Sequence, residues 1–293
     1  MKHAILGAGA IGGVMALGLS AADEDVTVIV RPGKERTHPA TLELEHPAGT
    51  ITARANIAAR VTERFDVLWI ATKTYQLEAA LASVVVVPGI VVPLLNGVDH
   101  IAVLRARFGY DRVVPGTIAV EAERSAAGQF VQRSPVRLNL AASGESVLKT
   151  CAERLRGLGW TANFIASEPT LLWTKLCFLE PFALVTAASG LNNGGILADP
   201  EWKERMDAAV REACAVATKE GAQVEPDKWV PAFSGMPAQM RASMAKDLDA
   251  GRKLELDGIA GPVLRGGARH GIPTPTTASL VAMIEAKEKP RSK

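Results

Sequence analysis

An apolar strand, Ala4-Ile5-Leu6, runs directly into Gly7-Ala8-Gly9-Ala10-Ile11-Gly12, and no other stretch restricts the available folds as sharply. A strand that ends in G-x-G-x-x-G and opens a helix is the dinucleotide-binding pattern of a doubly wound α/β sheet. Each glycine has a mechanical task. Gly7 turns the chain tightly off the strand, Gly9 lets backbone approach a pyrophosphate, and Gly12 lets the helix pack close to the strand. The candidate cofactor-binding loop is therefore Gly7, Ala8, Gly9, Ala10, Ile11 and Gly12, with phosphates received by the free N–H groups and dipole of the following helix.

The surroundings support this pattern. Helical spacing (Ile11, Val14, Met15, Leu17, Leu19) leads to an acidic turn, Asp23-Glu24-Asp25, and a second buried strand, Val26-Thr27-Val28-Ile29-Val30, followed by Arg31. The adenine ribose is expected at the end of that strand, where an acidic residue would bind the 2′-hydroxyl of NAD and an arginine the 2′-phosphate of NADP. Arg31 thus points to NADP(H). Residues 4 to 22 carry no charge and follow Lys2 and His3, which is also how a signal peptide or membrane span begins. Alanine and five glycines build this run, however, and the glycine spacing explains it as folded structure in a cytoplasmic protein.

A chain of 293 residues is long enough for two domains. Its 33 basic and 31 acidic residues leave a net charge of +2, so it lacks the footprint of a nucleic-acid or anionic-membrane partner, and a small molecule is expected instead. The cysteines, Cys151, Cys177 and Cys214, show neither C-x-x-C nor zinc spacing and read as buried apolar residues of a reducing compartment; no metal is expected.

Residues 32 to 64 form an irregular insert with strand-like pieces at 41 to 45 and 50 to 54. A third buried strand, Val67 to Ala71, ends in Thr72-Lys73, and a fourth, Ile90 to Leu95, ends in Asn96-Gly97, with Asp99 as the expected N-cap of the next helix. Ligands bind at the carboxyl ends of such strands, so Lys73 adds positive charge near Arg31, and Asn96 offers an amide where the nicotinamide half should lie. One strand from Val113 to Ala122, segments at 129 to 132 and 136 to 141, a helix at 145 to 157 and a strand at 160 to 164 complete the expected α/β domain, residues 1–166.

From 167 to 293 apolar residues recur three and four apart, predicting an all-helical second domain with helices near 200–220, 226–233, 238–250, 253–270 and 276–288. Lys175 is a single charge in the apolar run Leu171 to Leu179, and the active site is expected in the cleft between the domains. A homodimer is a possible assembly, since large helical second domains commonly supply such an interface.

These motifs together resemble the ketopantoate reductase (2-dehydropantoate 2-reductase) family. The resemblance is carried by the glycine loop, Arg31, Thr72-Lys73, Asn96-Gly97, Gly116-Thr117, Leu172-Trp173-x-Lys175-Leu176, Asn193-Gly194, Asp199-Pro200, Ser243-Met244-x-x-Asp247, Glu255-x-Asp257 and His270-Gly271-Ile272-x-x-Pro275. It implies reduction of a 2-oxo acid by NADPH, with Lys175 as proton donor to the carbonyl oxygen. It further implies that Asn96, Asn193 and Ser243 surround substrate and nicotinamide, that Glu255 and the backbone near Ala122 contact the cofactor, and that Arg31 and Lys73 flank the 2′-phosphate. The chemistry agrees with these residue types, because an ammonium in a poorly hydrated cleft both stabilises the developing alkoxide and supplies the proton. Family members usually carry asparagines four and eight residues after the catalytic lysine, where this chain has Leu179 and Ala183. A different 2-oxo acid or an imine is therefore an alternative substrate, a non-catalytic NADPH sensor is an alternative function, and Pro181 is expected to break or kink the helix.

Overall fold

The computed structural model describes residues 1–288. They divide into two compact units: Met1–Leu95 with His100–Ser167, and Asn96–Asp99 with the chain from Glu168 onward.

The first unit contains β1 (Lys2–Leu6), α1 (Ala10–Ala21), β2 (Asp25–Ile29), β3 (Thr41–His46), β4 (Gly49–Arg54), β5 (Asn56–Ala58), β6 (Val67–Ile70), α2 (Leu77–Leu81), β7 (Ile90–Pro93) and α3 (His100–Phe108). It continues with β8 (Gly116–Ala119), β9 (Ala122–Ala126), β10 (Gln129–Gln132), β11 (Arg137–Ala141), α4 (Glu145–Gly157) and β12 (Thr161–Ile165). Strands β5, β2, β1, β6 and β7 form a parallel sheet in that order. The continuous apolar runs of β1, β2 and β6 reflect burial on both faces, as parallel sheets require. The chain winds outward from β1 to β2 and then crosses to β6 on the other side, so the switch point lies between β1 and β6. The uncharged stretch at 4 to 22 is accordingly most of β1, the glycine loop and α1, all inside this unit.

The insert at 32 to 64 has a definite structural role. Alternating burial along β3 puts Leu42 and Leu44 inward, and the β3–β4 hairpin joins β10 and β9 in a four-stranded sheet ordered β4-β3-β10-β9. The single strand expected from Val113 to Ala122 is instead two strands in different sheets. Buried β8 pairs antiparallel with β11 in the sheet β12-β11-β8, whereas the largely exposed β9 pairs with β10. Between them Glu121 is tied to the 133–134 turn through Ser134 Oγ (2.7 Å) and the Arg133 amide (2.8 Å), which directs the chain into the second sheet.

The second unit contains α5 (Glu168–Ser189), α6 (Asn193–Ala198), α7 (Pro200–Lys219), α8 (Pro226–Trp229), α9 (Ser243–Asp249), α10 (Leu256–His270) and α11 (Pro275–Lys287). Local chemistry sets the ends. Asp199 caps α7 by accepting from the Glu201 and Trp202 amides, with Pro200 in the first turn, and Gly271 closes α10 in the left-handed conformation at φ 66°. Helix α6 was not anticipated from spacing. The helix expected at 226–233 is a four-residue α8 followed by a 3₁₀ turn, and that expected at 238–250 is confined to 243–249. The intervening segment instead gives its carbonyls to α6: Asn193 and Gly194 amides donate to Met240 and Ala238.

Beyond residues 4 to 22 the sequence reads as having no membrane-like segment, yet helix α5 is long and apolar enough to cross a membrane by length and composition. Of its most apolar window 78% is buried, and it packs against α7, α9 and α11 as the central helix of the second unit. The predicted break at Pro181 does not occur, and the helix runs through to Ser189. Loss of one i→i−4 bond is tolerated because Glu180 to Ala188 are buried on all sides and held by the core. Phe178, Phe182 and Phe233 stack at 5.0–6.4 Å between centroids, with Trp229 5.9 Å from Phe178.

Candidate active site

In the first unit, register brings the cofactor candidates to one edge. Leu6 lies opposite Ile29 and Ile70, so the residues that follow β1, β2 and β6 emerge together: Gly7, Val30-Arg31, and Ala71-Thr72-Lys73. Gly7 has φ 116°, and a Cβ there would lie 2.9 Å from the Ala71 carbonyl oxygen, so only glycine fits the crevice at the switch point. A Cβ on Gly12 would fall 1.8 Å from the Gly7 carbonyl oxygen, whereas at Gly9 it would meet nothing within 4 Å. The Gly9 backbone therefore faces open space. Helix α1 begins there without a side-chain cap and without an acidic residue in its first turn, so its leading N–H groups are left for an anion. Arg31 is exposed, Lys73 is half-buried before a 3₁₀ turn, and Ala122 is the first residue of β9, paired with Gln132.

Arg124 was missed in the sequence. From β9 its Nη1 donates to the Ala8 carbonyl at 3.2 Å, bringing a charge to a loop that has none of its own. No local pattern marks it, because the contact arises from the packing of β9 and β10 on α1.

The second unit assembles a hydrogen-bonded chain of three. Lys175 Nζ donates to Asn96 Oδ1 at 3.1 Å, and Asn96 Nδ2 donates to Glu255 Oε2 at 3.3 Å. Lys175 projects from the second turn of α5, and buried Glu255 occupies the N-cap position of α10. Asn96 is placed by the loop it begins: Gly97 has φ 81° and lies so close to α10 that a Cβ would be 2.0 Å from the Gly258 carbonyl oxygen. Asp99, expected as a helix cap, accepts from Arg265 at 2.6 Å and fastens the same loop to α10. Loss of hydration around the partly enclosed Lys175 ammonium pulls its pKa down to about 8, with the Glu255 charge opposing the shift.

The other proposed substrate groups lie outside this chain. Asn193 is fully buried, and its Nδ2 donates to the backbone carbonyls of Phe233 (2.9 Å) and Met236 (3.3 Å), which holds the 233–240 segment against α6. Ser243 is exposed at the start of α9. Leu179 is half-buried one turn after Lys175, and Ala183 is wholly inside the helical core.

All three cysteines are buried free thiols. His3, Glu24 and Cys151 bring ligand-type atoms within 4.8 Å of one another, a grouping that spacing did not suggest. Trp69 Nε1 donates to His3 Nδ1 at 3.0 Å, which leaves the proton on Nε2, directed at Glu24 (3.4 Å); Glu24 also pairs with Arg154 at 2.9 Å. These contacts make the group a satisfied structural network, and burial pushes the Cys151 thiol up to about 12.

Two family models cover almost the whole chain. Residues 3–145 match the model described as ketopantoate reductase PanE/ApbA, and residues 170–288 match its C-terminal counterpart. The 2-dehydropantoate 2-reductase of Caulobacter vibrioides is 33% identical over 97% of this chain and 98% of its own length. The chain belongs to the ketopantoate reductase family. Membership places it among the oxidoreductases, and the two-unit architecture is that of the family. The 2-dehydropantoate 2-reductase of Geobacter metallireducens superimposes with a TM-score of 0.88 at 23% identity, covering 98% of this chain and 99% of that one. A D-mandelate dehydrogenase solved with NADH and anilino(oxo)acetate gives a TM-score of 0.88, 23% identity and 98% coverage of each chain, so the ketopantoate reductase fold is shared by that enzyme too.

Proposed function

We propose that the protein reduces a 2-oxo acid to the 2-hydroxy acid with NADPH, with ketopantoate as the substrate to test first. The observation that carries this reading is the Lys175–Asn96–Glu255 chain, which holds an ammonium of lowered pKa in a fixed direction. When bound, the cofactor supplies the hydride. The residues of the first unit suit such a molecule: the glycine loop and uncapped α1 receive the pyrophosphate, and Arg31 with Lys73 receives the 2′-phosphate.

Lys175 then acts on the carbonyl. Its Nζ donates to the oxygen as charge develops there and transfers the proton, a step made easier by a pKa near neutrality. Asn96 fixes the direction of Nζ by accepting one of its hydrogens, and Glu255 fixes Asn96 by accepting from the other end of the amide. Ser243, exposed at the start of α9, supplies a hydroxyl for the substrate carboxylate, while Asn193 shapes the pocket by holding the 233–240 segment.

The test is NADPH oxidation followed by absorbance against ketopantoate and a panel of 2-oxo acids and imines, with NADH as control. Turnover of ketopantoate with preference for NADPH supports the reading. Turnover of another acid alone moves the substrate assignment, and binding without turnover removes the enzyme assignment.

A further inference from the structure

We infer that Arg124 is a cofactor-binding residue that reads the pyrophosphate, an assignment that rests on the NADPH reading above. Residues 4 to 22 carry no charge, so any side-chain cation beside the loop that would receive two phosphate groups comes from elsewhere in the chain. The four-stranded sheet supplies one. In the antiparallel β9–β10 pair, Arg124 lies directly opposite Phe130, and residues opposite one another share a face of the sheet. Phe130 is buried, and its ring sits so close to α1 that a Cβ on Gly13 would be 2.2 Å from it. The face carrying Phe130 is therefore the face toward α1, and Arg124 extends from it to the Ala8 carbonyl at 3.2 Å. A register shift between Gln129 and Phe130 marks an irregularity of the kind that re-aims side chains.

The contact uses only one of the five guanidinium N–H groups, and the side chain is exposed. The remaining donors are therefore available beside the glycine loop, next to the uncapped α1 N–H groups and the open space at Gly9. Docked on the Ala8 carbonyl, the guanidinium is held in place before an anion arrives, which lowers the ordering cost of binding. A forked, permanently charged donor suits phosphate oxygens better than an ammonium does.

The experiment compares wild type, R124Q and R124K by titration with NADPH, NADH and adenosine 2′-monophosphate, which carries the 2′-phosphate but no pyrophosphate. The expected result is that R124Q weakens NADPH and NADH alike, by about 10- to 100-fold, as for loss of a charged hydrogen bond. Adenosine 2′-monophosphate binding should stay unchanged, which also shows that the variant is folded, and R124K should fall between. Unchanged dinucleotide binding in R124Q would overturn the assignment. Equal weakening of adenosine 2′-monophosphate would overturn it as well, since Arg124 would then support the fold and not the pyrophosphate. If wild type binds neither dinucleotide, the cofactor reading falls and takes this assignment with it.

Discussion

Gly97 lies against Gly258 so closely that a Cβ on Gly97 would stand 2.0 Å from the Gly258 carbonyl oxygen, and this contact sets the position of Asn96. Replacing Gly97 with alanine adds that clash to a strained φ of 81°. The 96–97 loop must lift from α10, breaking the bonds from Asn96 to Lys175 and Glu255. Turnover should drop by roughly 10²-fold, as for a misplaced catalytic group, while the melting temperature changes little. Activity close to wild type would show that the contact does not position Asn96.

Lys175 must be protonated to act as an acid, and its pKa is about 8. The rate of carbonyl reduction should therefore fall as pH rises through about 8. Lys175→Gln should lower turnover by about 10²- to 10⁴-fold and remove that descending limb, leaving NADPH binding intact. The stability effect has the opposite sign. Because the folded value lies below the ordinary 10.5, the unfolded chain binds the extra proton between them, and stability gains from this group as pH rises from about 8 to 10.5. Urea titrations across that range check the second effect, and rate profiles the first.

Arg31 emerges beside the glycine loop and is exposed. Arg31→Ala should weaken NADPH by roughly 10- to 100-fold and leave NADH nearly unaffected, because only NADPH carries the 2′-phosphate. Equal weakening of both would remove Arg31 from the phosphate site. The contrast with R124Q, expected to affect both cofactors, separates the two positions.

Glu180 is wholly buried on α5, and among the described residues its carboxyl faces the buried Thr277 hydroxyl without a hydrogen bond of ordinary geometry. Burial pushes its pKa well above the ordinary 4.5; the Thr277 hydroxyl opposes the shift and the Glu212 carboxylate adds to it. The folded chain keeps a proton that the unfolded chain gives up, so this group's contribution is greatest below pH 4.5 and is lost as pH rises toward the folded value. Glu180→Met should stabilise the protein by about 1–3 kcal/mol at neutral pH, by removing a buried carboxyl that is poorly satisfied. The gain should be larger at pH 8 than at pH 5 by denaturant titration, and destabilisation would show that Glu180 has a polar role.

Periodicity carried far along this chain where structure is local. The glycine loop, the buried strands and the helix at 145–157 follow from patterns within a few residues, because turn geometry and double-sided burial act over that distance. The 113–122 stretch was less legible, since β8 and β9 are equally extended and differ only in which sheet receives them. The segment at 236–242 has helical spacing, but its carbonyls pair with α6, a partner about 45 residues earlier. Asn193 shows the same limit at a motif: the residue was legible, while its bonds to Phe233 and Met236 were not.

By itself the sequence determined the parallel dinucleotide-binding sheet, the helical second half, and the candidates Arg31, Lys73, Asn96 and Lys175, with Glu255 added by the family resemblance. All of these are written in residue type, short-range spacing or motif. Tertiary structure alone decided that Asn96 joins Lys175 to Glu255 across sequence separations of 79 and 159 residues. It also decided that Arg124 reaches Ala8 from 116 residues away and that Glu180 is enclosed beside Thr277. Hydrogen bonding and burial depend on distance in space, and the packing of whole elements, unlike the period of any one of them, sets which distant residues come within that range.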